Sequence, residues 1–141
     1  MMYNEGTIIA LSSAPGSGAI AIIRLSGEDA ISKTDLFFKS KSGKNLSKSS
    51  GYSISYGDLV DNDEIIDEVV VSVYKAPHSY TGENIIEISC HGSVYIQQRI
   101  LTLFTDAGVR LASPGEFTLR AYLTVSYTHL RAHETGRNLV C

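Results

Sequence analysis

The strongest constraint in this chain is a two-residue period that recurs in short runs. Tyr52, Ile54 and Tyr56 alternate with Ser53, Ser55 and Gly57; Val69, Val71 and Val73 alternate with Val70, Ser72 and Tyr74; Ile86, Ile88 and Cys90 alternate with Ile85, Glu87 and Ser89. Successive side chains of a strand point to opposite faces of a sheet, so such runs predict strands. Two more are expected at Thr7 to Leu11 and Ala19 to Leu25, joined by Ser12-Ser13-Ala14-Pro15-Gly16-Ser17-Gly18. Pro15-Gly16 suits the centre of a type II turn, where glycine supplies the positive φ. Asp61-Asn62-Asp63 reads as a hairpin turn, because short Asx side chains satisfy turn backbones.

Helices interrupt the strands. From Ser93 to Ala107, the residues Ile96, Ile100, Leu103 and Ala107 form one apolar stripe, which Leu101 and Phe104 widen. Gly108 is placed to cap it in the left-handed conformation. Glu28 to Phe38 predicts a weaker helix with acids in its first turn. A third, short helix is expected after Pro114-Gly115, with Ser113 as its cap, proline in its first turn, and Glu116 where a capping box places its acid. Short connections between strands and helices predict an α+β fold, with a mixed, largely antiparallel sheet and two or three helices.

At 141 residues and a net charge of −3 the chain has one domain's worth of sequence. Its slight acidity argues against gripping nucleic acid by charge alone. No apolar run approaches a membrane span and no signal peptide opens the chain. Cys90 and Cys141, far apart, form neither a disulfide framework nor a zinc motif, which fits a reducing, cytoplasmic setting. Lys39, Lys41, Lys44 and Lys48 sit among Ser, Gly and Asn, a run expected to be a mobile, solvated loop rather than a phosphate site.

Three irregular segments carry residue types that are expensive unless used. Pro15-Gly16-Ser17-Gly18 leads toward Arg24, which ends the apolar run Ile20 to Ile23. A guanidinium there needs a partner, either a structural carboxylate or a planar ligand. Ala76 to Asn84 places Glu83 where the chain re-enters the sheet, and Tyr80 adds a ring and a hydroxyl. His78 and His91 lack a third ligand at metal-binding spacing and read as solvated or hydrogen-bonded histidines. Cys90 reads as a small buried hydrophobe. The third segment, Ala112 to Ala121, is accounted for by helix capping and a Glu116–Arg120 pair at i, i+4.

Taken together, Thr7-Ile8-Ile9-Ala10, Pro15-Gly16-Ser17-Gly18, Ile22-Ile23-Arg24-Leu25-Ser26-Gly27, Ser79-Tyr80-Thr81-Gly82-Glu83-Asn84, His91-Gly92 and Ser113-Pro114-Gly115-Glu116-Phe117-Thr118-Leu119-Arg120-Ala121-Tyr122-Leu123 resemble, in order and spacing, the opening of the MnmE (TrmE) family of tRNA-modifying GTPases. The resemblance covers about residues 5 to 123. It implies an N-terminal domain similar to the folate-binding domain of aminomethyltransferases, which forms a homodimer and binds 5-formyl-tetrahydrofolate or a related folate. It also implies that helical and GTPase domains, with GTP, Mg and K, belong to a longer enzyme. That enzyme works with an MnmG-type flavoprotein on C5 of the wobble uridine of tRNA.

Residue by residue, the family's folate-contacting arginine falls on Arg24 and its glutamate on Glu83; Tyr80, by its own chemistry, either packs on a flat ring or supports the turn. The family's lysine in an Asn-Gly-Lys-like stretch has no counterpart, because the chain continues Thr124-Val125-Ser126-Tyr127-Thr128-His129-Leu130. The expected organisation is therefore a family domain over 1–123 and a non-family tail over 124–141 that looks like translated vector or adaptor DNA. On that reading His129, His133 and Cys141 are not a metal site. No Gly-x-x-x-x-Gly-Lys-Ser/Thr is present, so this chain by itself is not expected to hydrolyse GTP. The competing readings are a free-standing tetrahydrofolate-dependent aminomethyltransferase, for which no convincing base or nucleophile set is seen, and a purely structural dimerisation module.

Overall fold

The computed structural model describes residues 6–135, with side chains described as far as residue 125. Seven strands form one sheet: β1 (Ile8–Leu11), β2 (Ile20–Ser26), β3 (Phe38–Ser40), β4 (Ser53–Asp61), β5 (Glu64–Tyr74), β6 (Ile85–His91) and β7 (Arg110–Leu111). Three α-helices accompany it: α1 (Ala30–Phe37), α2 (Val94–Asp106) and α3 (Glu116–Thr135). The strand order is β3-β4-β5-β6-β2-β1-β7. Every pairing is antiparallel except β1 with β7, which run parallel. The α+β expectation holds.

Alternation decides the two faces. Ala21, Ile23 and Leu25 of β2 and Ile86, Ile88 and Cys90 of β6 are buried on one face. They pack with Val69, Val71 and Val73 of β5 and with Ile100, Leu103 and Phe104 of α2 in one core. Ser93 caps α2 by accepting a hydrogen bond from the Ile96 amide at 3.3 Å, which satisfies one of the free N–H groups of the first turn. The other face carries Ile22, Arg24 and Ser26, opposite Ser89, Glu87 and Ile85 in register. On β4, Ile54 and Tyr56 lie on this second face and are exposed, as is Tyr52 just before the strand, whereas Leu59 is buried in the core.

Local signals held where backbone geometry decides. Asn62 and Asp63 both take positive φ, +48° and +72°, as a two-residue type I′ hairpin demands. Gly16 and Gly108 also take positive φ. Three expectations need correction. The first helix starts at Ala30, so Glu28 and Asp29 precede it, and the Asp29 amide donates to Thr7 Oγ1 at 3.0 Å. The lysine-rich run is not a single loop: Lys39 lies in β3, and Leu46–Lys48 form a 3-10 turn. Asp35 accepts from the amides of Leu46 and Ser47, at 2.7 and 3.0 Å, and seats Leu46 in the core at 2% exposure. The third helix is not short; it spans 20 residues, beginning at Glu116 after the Pro114-Gly115 turn.

Candidate functional site

Arg24 stands on the second face of the sheet, in register with Glu87 on the neighbouring strand. Its Nε and Nη2 both donate to Glu87 Oε2, at 2.9 and 2.8 Å. The guanidinium also lies over the rings of Tyr80, at 5.5 Å, and Phe117, at 5.4 Å. Such contacts favour a planar cation on an aromatic face. The ion pair uses one edge of the guanidinium and leaves Nη1 for another acceptor, with about a quarter of the side chain exposed.

Glu83 approaches the same face from the loop before β6. Ser26 Oγ donates to its Oε1 at 2.7 Å, and Ser26 lies two residues along β2 from Arg24, on the same side of the sheet. Arg120 Nη1 donates to Glu83 Oε1 at 2.9 Å and Oε2 at 3.2 Å. Thr81, fully buried, shares a 2.8 Å hydrogen bond with Ser26 and accepts from the Glu83 amide at 3.3 Å. Both carboxylate oxygens thus accept from protein donors, while the side chain stays 26% exposed. Tyr80 is exposed, its hydroxyl 3.1 Å from Thr118 Oγ1.

Sequence reasoning assigned Arg24, Glu83 and Tyr80, and the fold brings them to one end of one sheet face. It missed Glu87, Ser26 and Phe117 as their partners. Spacing alone makes Arg120 a partner of Glu116 only. That contact exists, at 3.1 Å, but Arg120 also joins Glu83 and the carbonyl of Gly6. Helix α3 begins only at Glu116, after a positive-φ Gly115, so Ser113 and Pro114 lie before it and the expected capping box is only half formed. Glu116 is buried and its side chain accepts from the Ser113 amide at 2.9 Å. Hydrogen bonds from Arg110 first, then that backbone amide, outweigh burial and hold its carboxyl down at about 2.

Two other groups behave as expected. Cys90 is buried, and burial, with the charge of Asp67 adding, pushes its thiol up to about 11. His91 Nδ1 lies 2.7 Å from Asp67 Oδ1, a hydrogen-bonded histidine exposed at the end of β6. A cavity of about 480 Å³ lies away from the arginine and glutamate, between α2, the end of α1 and the β4–β5 turn. Its arginine, Arg99, already meets Glu64 at 3.3 Å and Asp61 at 3.7 Å.

Residues 7–125 match the family model described as the GTP-binding protein TrmE N-terminus. The chain belongs to this family. It is 52% identical over 122 residues to the tRNA modification GTPase MnmE of Flavobacterium johnsoniae, covering 86% of this chain and 26% of the relative. The MnmE of Parabacteroides distasonis is 52% identical over 119 residues, and that of Clostridioides difficile 48% over 122. The chain spans about a quarter of the length of these relatives. The TrmE match extends to residue 125, and Thr124 hydrogen-bonds the Thr81 carbonyl at 2.8 Å, against the same loop that carries Glu83. Among the described residues no helix is long and apolar enough to cross a membrane.

Proposed function

We propose that this TrmE-type domain binds a reduced folate, 5-formyl-tetrahydrofolate or a close relative, as the one-carbon donor site of a homodimeric, cytoplasmic tRNA-modifying GTPase. The observation that carries the reading is the presence of Glu83 and Arg24 on one sheet face, each partly exposed and each with hydrogen-bonding capacity left over. A pterin edge presents adjacent N–H groups that a carboxylate accepts in a bidentate manner, so Glu83 is the ring anchor. Arg24 would meet a polar or acidic part of the folate, and Tyr80 offers its flat ring. When bound, the folate supplies the transferable carbon; the protein's part is to hold and orient it.

The sheet face beyond the site supports self-association. Ile20, Tyr52, Ile54 and Tyr56 are exposed there, an apolar surface suited to a second copy of the chain. Extended to the whole length of the relatives, the reading includes GTP with Mg and K, tRNA, and an MnmG-type flavoprotein as partner. The family match runs two residues into the expected 124–141 tail, and we read the rest of that tail as foreign sequence, a reading tested by sequencing the encoding DNA past the Leu123 codon.

Titration calorimetry with 5-formyl-tetrahydrofolate tests the central reading. Saturable binding by the unaltered chain, abolished by Glu83→Ala with circular dichroism unchanged, is expected; equal affinity in the variant removes Glu83 from the site. The alternative of a structural dimerisation module is favoured by one observation, that Arg24 and Glu83 are both already ion-paired within the protein. It predicts no folate binding with the dimer intact.

A further inference from the structure

Four charged side chains alternate in sign from the sheet edge to the site: Arg110, Glu116, Arg120 and Glu83. Arg110 meets Glu116 at 2.7 Å, Glu116 meets Arg120 at 3.1 Å, and Arg120 meets Glu83 at 2.9 Å. Exposure falls from 33% at Arg110 to 7% at Glu116 and 1% at Arg120, then rises to 26% at Glu83. The row is therefore buried in its middle and opens to solvent at both ends.

A guanidinium stays charged at any relevant pH, so burying Arg120 demands compensation. Glu116 supplies it from the inner side, ionised far below neutral pH because Arg110 and the Ser113 amide hold its carboxylate. The planar fork of Arg120 then divides its work: Nη2 serves Glu116 and the Gly6 carbonyl, while Nη1 spans both oxygens of Glu83. Ser26 closes on the same carboxylate from β2. Two donors on different elements thus fix the carboxylate before any ligand arrives, which removes the cost of ordering it on binding.

We propose that Arg120 is a positioning residue of the folate site, fixing the Glu83 carboxylate so that its exposed part meets the pterin ring; this rests on the reading that Glu83 anchors a folate. Arg120 touches no ligand and acts only through Glu83. Lysine cannot replace it fully, because a single ammonium cannot reproduce the planar fork that reaches Glu83, Glu116 and Gly6 together.

The experiment uses the full chain with Arg120→Gln and Arg120→Lys. 5-Formyl-tetrahydrofolate and p-aminobenzoylglutamate, the folate tail without its pterin, are titrated into each. Arg120→Gln should weaken the complete folate about 10-fold or more and Arg120→Lys about 3-fold, with tail binding unchanged within about 2-fold. Equal weakening of both ligands means a merely structural role and overturns the proposal. A ligand-free readout runs alongside: the Glu83 carboxyl carbon resonance, assigned with Glu83→Gln, should move in both Arg120 variants and stay in Arg24→Gln. If Arg120→Gln does not fold, Arg120→Lys decides both readouts. An unmoved resonance overturns the clamp. A moved resonance in a chain that binds no folate overturns the folate reading instead, and the positioning role with it.

Discussion

The two faces of the sheet are built from alternate residues of the same strands, yet they do different work. One face presents Ala21, Ile23, Leu25, Ile86 and Ile88 to α1 and α2 and is closed. The other presents Arg24, Ser26 and Glu87, with Ile54 and Tyr56 beyond them. It is roofed at one end by α3 and the loop that carries Glu83. The closed face buys stability through apolar burial. The roofed face holds its charges in pairs that are partly buried, where a ligand can still reach them. The lesson is that one alternation pattern serves both a core and a site when the second register carries polar residues over only part of its length.

This contrast can be broken from the closed side first. Phe104→Ala, at a fully buried position, should cost about 3–5 kcal/mol in urea unfolding, and a loss below about 1 kcal/mol would place Phe104 outside the core. Gly92→Ala should cost about 3 kcal/mol, because an added Cβ would lie 2.1 Å from the Gly18 carbonyl oxygen, backbone that cannot easily retreat. Thermal unfolding measures it, and a neutral result would show that the Gly18 loop is free to shift.

On the roofed side the sharper test is acid. The Glu116 carboxyl is held at about 2 against an ordinary 4.5, a folded value below the unfolded one. Its contribution is therefore present above pH about 4.5 and is lost as pH falls toward about 2. Glu116→Gln should lower stability on the order of 2 kcal/mol at neutral pH and flatten the fall in stability across that acid window. Denaturant melts at pH 6 and pH 3 compare the two chains, and an equally steep acid loss in the variant would assign the effect to other carboxylates. The smallest effect belongs to the open part of the same face. Ile54→Ser, exposed in the single chain, should change monomer stability by under about 0.5 kcal/mol while weakening self-association seen by sedimentation. An unaltered dimer would move the contact elsewhere.

Much of the frame was legible before folding was considered. The strands around Val69 to Val73 and Ile85 to Cys90, the hairpin at Asn62-Asp63 and the left-handed Gly108 after α2 rest on local periodicity and turn chemistry, which need no distant partner. The short strands β3 and β7 were missed because two or three residues carry no period. The lysine run misled for a similar reason: its polarity hides one buried leucine, and the acid that orders it, Asp35, lies on α1. Gln97 was invisible as well. It sits within an apolar stripe, but its amide donates to the carbonyls of Gly16 and Gly92 and ties α2 to the glycine loop.

By itself, then, the sequence determined the α+β class and which residues of each strand alternate between the two faces, while Arg24 and Glu83 were singled out by the family resemblance and stand as a proposal. Local backbone preference and side-chain spacing are carried by neighbours along the chain. Tertiary structure alone decided which charges meet. Arg24 finds Glu87 at a separation of 63 residues, and Arg120 finds Glu83 at 37 and Gly6 at 114. Electrostatic pairing depends on distance in space and on burial, neither of which a linear spacing records. Arg120 could be read from sequence as half of a helical ion pair; only the packing of α3 against the Glu83 loop made it the clamp behind a candidate ligand anchor.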